Sequence, residues 1–198
     1  MYGEFKLFGE KRCDAYFEGI KDKIKKYIED MDELKFLKSD KDSIVEYLLK
    51  NYKIEPLEID IENNKKELFE TFIPGRNFPH LGFDVRPDQN YKVRSIQYKI
   101  PFKGNNEIFN LIPKQRSGWS EKVHLEEKYI CFEIPDFTKK AEDVKSKANR
   151  IMDLMIKLNE FLRIDIEEYN QSLKLFIGDL IKTKENRIKE NKNFLESL

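Results

Sequence analysis

The residues of this chain that could do chemistry are two histidines, His80 and His124, two cysteines, Cys13 and Cys131, and a high density of carboxylates. A zinc site needs about four nitrogen or sulfur ligands in clustered pairs. These four are scattered, so no metal site and no cofactor is expected from their spacing. His80 lies in the turn-like Pro79-His80-Leu81-Gly82 and reads as an exposed loop residue. Cys131 sits in the apolar run Tyr129-Ile130-Cys131-Phe132 and reads as a buried thiol. No secretory pattern precedes it, so a disulfide is not expected.

A second grouping is Pro87-Asp88 followed by Glu126-Glu127-Lys128. Metal-dependent nucleases hold an ion between an acid at one strand end and an acid on the next strand, with a lysine two residues on to aid the hydroxide. Asp88, Glu126 and Lys128 are a degenerate version of that set. Glu126-x-Lys128, however, precedes the apolar run Tyr129–Ile134, and the ordinary reading is a polar turn with Glu127 and Lys128 at its tip. No Gly-rich phosphate loop and no Gly-x-Ser-x-Gly elbow occurs. An enzyme is not expected; the nuclease is kept as an alternative.

A third grouping is cationic and aromatic. Arg86, Lys92, Arg94, Lys99, Lys103, Lys114, Arg116 and Lys122 interleave with Tyr91, Tyr98, Phe102, Phe109 and Trp119. Cations hold phosphates and aromatic faces stack on bases, so single-stranded nucleic acid is an alternative ligand for this zone. The plainer reading puts the aromatics in the core and the cations on the outer face of the same strands.

The elements that must position these groups fall into three zones. To about Tyr52 the chain is helical: Phe17, Ile20, Ile24, Tyr27, Ile28 and Met31 recur at helical spacing, and Ser39-Asp40 caps a second helix to Tyr52. From Ile54 to Asp136 lies every proline and half of the glycines, with strands expected at Leu57–Ile61, Tyr91–Phe102 and within Lys122–Ile134. In Tyr91–Ile100 the alternation changes phase at Ser95, where a bulge is expected. Charge differs between zones: 16 acids against 11 bases over 14–70, and 3 against 8 over 85–122. Over the whole chain Lys plus Arg equals Asp plus Glu at 37 each, so no net field draws it to a polyanion.

The third zone, from Thr138, has no proline and one glycine, Gly178. Its apolar residues keep helical rhythm: Val144, Ala148, Ile151, Met155, Leu158, Leu162, Ile166, Tyr169, Leu173, Phe176 and Leu180. About 40 residues at 1.5 Å each give roughly 60 Å of helix, more than a small sheet covers. The stripe Ile151, Met155, Leu158, Leu162, Tyr169, Leu173, Phe176 is therefore expected to serve a helical hairpin or a second subunit, a homodimer being favoured. Asp165 with Glu168 is a possible capping box at a kink, and Lys182–Lys192 reads as solvated. No stretch of about 18 apolar residues exists, so no membrane span is expected and the location is expected to be cytoplasmic.

One stretch resembles a known group. Ile100-Pro101-Phe102-Lys103-Gly104-Asn105, then Ile108-Phe109 and Pro113, the strand Ile130–Ile134, and Tyr169-Asn170-x-Ser172-Leu173 on a long helix are similar to the N-terminal, non-effector region of bacterial multidomain defence-type proteins. Those proteins carry C-terminal nuclease or Toll/interleukin-receptor-like effectors. The resemblance spans about Tyr91 to Arg187. It implies a sensor, scaffold or oligomerisation module of an antiviral defence system, with a protein effector as a partner and no catalytic residues to carry over.

The expected fold class is α+β: N-terminal helices over 14–52, a small, mostly antiparallel sheet over 54–136, together a core domain 1–136, and a long helix or helical hairpin over 137–198. The expected role is a non-enzymatic interaction module, with loops around Gly75–Pro87 and Ser117–Ser120 as recognition surface.

Overall fold

A computed structural model describes residues 3–79, 84–115 and 121–198. The fold is α+β, as expected, with four α-helices among the described residues and an antiparallel sheet. Two compact units divide the chain. One holds Met1–Glu10, Leu57–Asn110 and Arg116–Glu160; the other holds Lys11–Pro56, Leu111–Gln115 and Phe161–Leu198.

The first unit is the sheet unit. Its strands are β1 (Phe5–Lys6), β3 (Glu58–Ile59), β4 (Lys65–Pro74), β5 (Asn90–Lys103), β7 (Lys122–Glu126) and β8 (Tyr129–Pro135). The order is β1-β7-β8-β5-β3, with β4 also on β5, and every pairing in this sheet is antiparallel. β5 is the spine: β8 pairs one edge, and β4 and β3 share the other. One face is apolar. Ile96, Tyr98 and Ile100 stand beside Ile134, Phe132 and Ile130, and Tyr98 stacks on Phe132 at 5.1 Å between centroids. Close packing ends β4: a Cβ on Gly75 would lie 2.0 Å from the Arg86 carbonyl oxygen, so only glycine fits there.

No bulge occurs at Ser95. The β4–β5 register runs unbroken from Lys65↔Lys99 to Pro74↔Asn90. The phase change in the sequence has another cause. Val93 and Ser95 are buried on one face, and Tyr98 and Ile100 on the other. The covered side of β5 changes along its length while the pairing does not slip.

The second unit is helical: α1 (Cys13–Asp30), α2 (Glu33–Lys38), α3 (Lys41–Tyr52), the later part of α4 (Ala141–Glu196), and a short parallel pair of β2 (Lys11–Arg12) with β6 (Leu111–Ile112). Asp40 caps α3, its carboxylate accepting from the Ser43 N–H at 2.9 Å, as its sequence position predicts. Tyr169 stacks on Phe17 at 4.8 Å. Asn170 grips the backbone of Ile54 at both polar groups, accepting from its N–H at 3.0 Å and donating to its carbonyl at 2.8 Å.

α4 is one helix of 56 residues, with no hairpin and no cap at 165. The four-four steps around Leu162 have a simple reading. A strict three-four alternation repeats every 3.5 residues and drifts off a 3.6-residue helix, and an extra four-step restores the phase. Asp165 is a buried anchor: it accepts from the Lys114 N–H at 2.9 Å and from the Cys13 thiol at 3.4 Å. The segment expected to be solvated is helical too, and within it Lys184 and Ile188 are buried. No helix among the described residues is long and apolar enough to cross a membrane.

Candidate functional site

The tail stripe is core. Ile151, Met155, Leu158, Leu162, Tyr169 and Leu173 are each at most 4% exposed within the single chain. Phe176 is half-buried, and the stripe continues instead through Ile177 and Ile181. Apolar area already removed from water cannot be removed again by a partner, so these residues do not form a free interface.

Lys184 continues the stripe with an amine. Its Nζ donates to the carbonyls of Ile28 at 2.7 Å, Glu29 at 3.1 Å and Met31. These are the last carbonyls of α1, which lack intrahelical partners and carry the negative end of the helix dipole. The amine also lies 5.1 Å above the Phe36 ring. Burial lowers its pKa.

The nuclease set is not assembled. Asp88 lies in an exposed turn before β5, whereas Glu126 ends β7 near the far end of the same strand. About ten strand residues, roughly 30 Å, separate those ends. Lys128 lies in the two-residue loop of the β7–β8 hairpin, where its carbonyl accepts from Phe102 N–H at 3.0 Å. Glu127 in that loop has φ 48°, a left-handed conformation that suits a tight hairpin.

The cationic zone is largely neutralised. Lys92 pairs with Glu70 at 2.5 Å, and Lys103 with Glu58 at 3.4 Å. Arg94 Nε donates to Asp136 at 2.9 Å, and Lys114 meets Glu168 at 2.6 Å. Lys122 lies 3.8 Å from Glu4. Sheet pairing brings the acids of 58–70 onto the bases of 92–103, and the charge asymmetry seen along the sequence largely cancels in space. Arg86 remains exposed. Arg116 and Trp119, the loop 117–120 and His80 lie outside the described residues. Tyr98 and Phe109 are core, so they are not faces on which a base could stack.

What pairing does assemble is a polar cluster on the sheet face opposite Tyr98. Lys99 of β5 stands opposite Cys131 of β8, which stands opposite His124 of β7. Glu126 follows two residues along on the same face, and Gln97 and Glu67 occupy the next row. Lys99 Nζ lies 2.8 Å from Glu126 Oε2 and 2.9 Å from Glu67 Oε2. Gln97 Nε2 lies 3.1 Å from His124 Nε2 and 3.2 Å from Glu126 Oε1. His124 Nε2 and Glu126 Oε1 are 3.3 Å apart. Hydrogen bonding to Glu126 and then to Glu67 raises the Lys99 pKa, and the bond from Lys99 lowers that of Glu126. Cys131 is fully buried, and burial pushes its thiol up to about 12. It is therefore a neutral thiol at physiological pH, not a thiolate nucleophile.

Sequence spacing did not single this cluster out, because its members come from four strands. One signal was available. A two-residue loop at Glu127-Lys128 makes Glu126 face Tyr129 and therefore His124 face Cys131.

The other unpartnered feature is β4. Among the described residues it pairs only with β5, at a sheet edge. Leu68 and Phe72 on it are 67% and 68% exposed. No family model, curated protein or solved structure matches the chain.

Proposed function

We propose that the chain is a non-enzymatic interaction module that associates with a second copy of itself through the free edge of β4. The observation that carries this reading is the exposed ten-residue edge strand with Leu68 and Phe72 in the open. An edge presents a row of unpaired N–H and C=O groups, a template for another strand. A two-fold axis at Leu68 pairs the two strands antiparallel. Leu68 then meets Leu68, and Lys66 of each copy faces Glu70 of the other. Unlike charges directly opposite each other stabilise an antiparallel pair and like charges oppose it. Pro74, at the end of β4, lacks an N–H and limits pairing to the middle of the strand. The resemblance of residues 91–187 to the non-effector region of defence-type proteins points toward the same kind of role, a scaffold for a protein effector. Nucleic acid is the weaker reading, because the cations it would use are held by carboxylates.

The test is light scattering behind size exclusion over a range of concentrations. The chain is expected to run as a dimer. Lys66→Glu sets like charges opposite each other twice and should weaken the dimer by about tenfold. Glu70→Lys should do the same, and the double exchange should restore it. A chain that stays monomeric at high concentration, or a double exchange as weak as the singles, overturns the reading.

A further inference from the structure

We propose that His124, Glu126 and Cys131 form a binding site for one divalent transition-metal ion, Zn²⁺ by the chemistry of the donors. The imidazole nitrogen, carboxylate oxygen and thiol sulfur all lie within 4.8 Å of one another. The spacing agrees with the ion. Two nitrogen or oxygen ligands at about 2.0–2.1 Å from a tetrahedral zinc stand about 3.3–3.4 Å apart. His124 Nε2 and Glu126 Oε1 stand 3.3 Å apart. Such a sulfur, nitrogen and oxygen set suits a borderline-soft ion; Mg²⁺ and Ca²⁺ take oxygen alone.

The surroundings direct the donors inward. Gln97 Nε2 lies 3.1 Å from His124 Nε2 and 3.2 Å from Glu126 Oε1, so this amide borders both donor atoms; the single lone pair of His124 Nε2 goes to the ion, and the amide keeps Glu126 Oε1 as its acceptor. Lys99 holds Glu126 by Oε2, which leaves Oε1 turned toward His124. Ligating carboxylates in metal sites are commonly held this way through their outer oxygen. Three protein donors leave a tetrahedral ion one further position, for water. The frame is rigid, because His124 and Cys131 are directly opposed across a hairpin with a two-residue loop. The thiol contributes little elsewhere: it donates to the Tyr129 carbonyl at 4.0 Å, and full burial denies it to any bulky substrate. An ion is small enough to reach it from the partly exposed His124 and Glu126 side.

The test uses the full chain, treated with chelator and titrated with Co²⁺ and then Zn²⁺. One Co²⁺ per chain should bind, with a thiolate-to-cobalt charge-transfer band and strong tetrahedral d–d bands, and Zn²⁺ should bleach both. Cys131→Ser should abolish the charge-transfer band, whereas Cys13→Ser should leave it intact. His124→Gln and Glu126→Gln, at half-buried positions, should each weaken binding at least tenfold with unchanged circular dichroism. These two variants decide the matter if Cys131→Ser does not fold. No charge-transfer band in the parent chain, a band that survives Cys131→Ser, or full affinity in both His124→Gln and Glu126→Gln overturns the proposal.

Discussion

The tail helix α4 and the edge strand β4 carry apolar residues under opposite circumstances. On α4 they recur with helical regularity, and Met155, Leu162 and Leu173 are wholly buried. On β4, Lys65 to Pro74 shows no clean alternation, yet Leu68 and Phe72 are among the most exposed large apolar side chains described. A periodic stripe records which face of a helix is apolar. It does not record what covers that face. On β4 the exposure of Leu68 and Phe72 goes with its place at a sheet edge, and topology is not periodic.

The sharpest way to break this contrast is a charge in the stripe. Leu158→Glu places an unpaired carboxylate where Leu158 is 2% exposed, and should cost more than about 4 kcal/mol, enough to lose the fold. Circular dichroism and denaturant titration check this, and a folded, dissociated variant would return the tail to the role of an interface. The milder Leu162→Ala should cost about 3 kcal/mol by the same titration.

Lys184 sharpens the same point, since it is a stripe member that hydropathy does not count. Lys184→Ala leaves the α1 carbonyls unpaired and should cost about 2 kcal/mol in urea unfolding. The sign of its pH dependence follows from its lowered pKa. The folded chain releases this proton before the unfolded chain does, so stability should rise as pH climbs from the folded value toward 10.5. Parent and Lys184→Met unfolding curves, compared across that window, isolate this slope.

On β4 the expected effect on stability is small. Leu68→Glu should stay within about 0.5 kcal/mol of the parent, because the side chain is exposed, while dimerisation is lost. Loss of fold would mean that Leu68 supports the sheet. The smallest effect concerns the Glu126–Lys99 pair. Glu126 is lowered from 4.5, so its contribution is present above that pH and fades as pH falls below it. Lys99 is raised from 10.5, so its contribution fades as pH rises beyond that value. Denaturant midpoints of parent and Glu126→Gln should converge in acid.

Local signals in the sequence marked several elements, but not local irregularities: no bulge occurs at Ser95 and no helix begins at Asp165. The Asp40 cap, the rhythm of α4, the alternation in β5 and the strand region Lys122–Ile134 all correspond to elements. β4 was illegible because its charged Lys65-Lys66-Glu67 start and mixed faces follow neither period. α2 is six residues long, too short for a stripe. The polar cluster required register. Lys99, Cys131 and His124 are neighbours because three strands align, and a one-residue slip would send Cys131 to the other face. The sequence showed Cys131 as buried among apolar neighbours, and could not show the charged groups across the strands.

The bonds from Lys184 to the end of α1 join groups more than 150 residues apart in the chain. During synthesis, α1 emerges well before its partners in α4. The unit built from Lys11–Pro56, Leu111–Gln115 and Phe161–Leu198 cannot close until the later part of α4 has left the ribosome. Through that interval Phe17, Ile24 and Ile28 wait uncovered, and α1 is made long before it is protected.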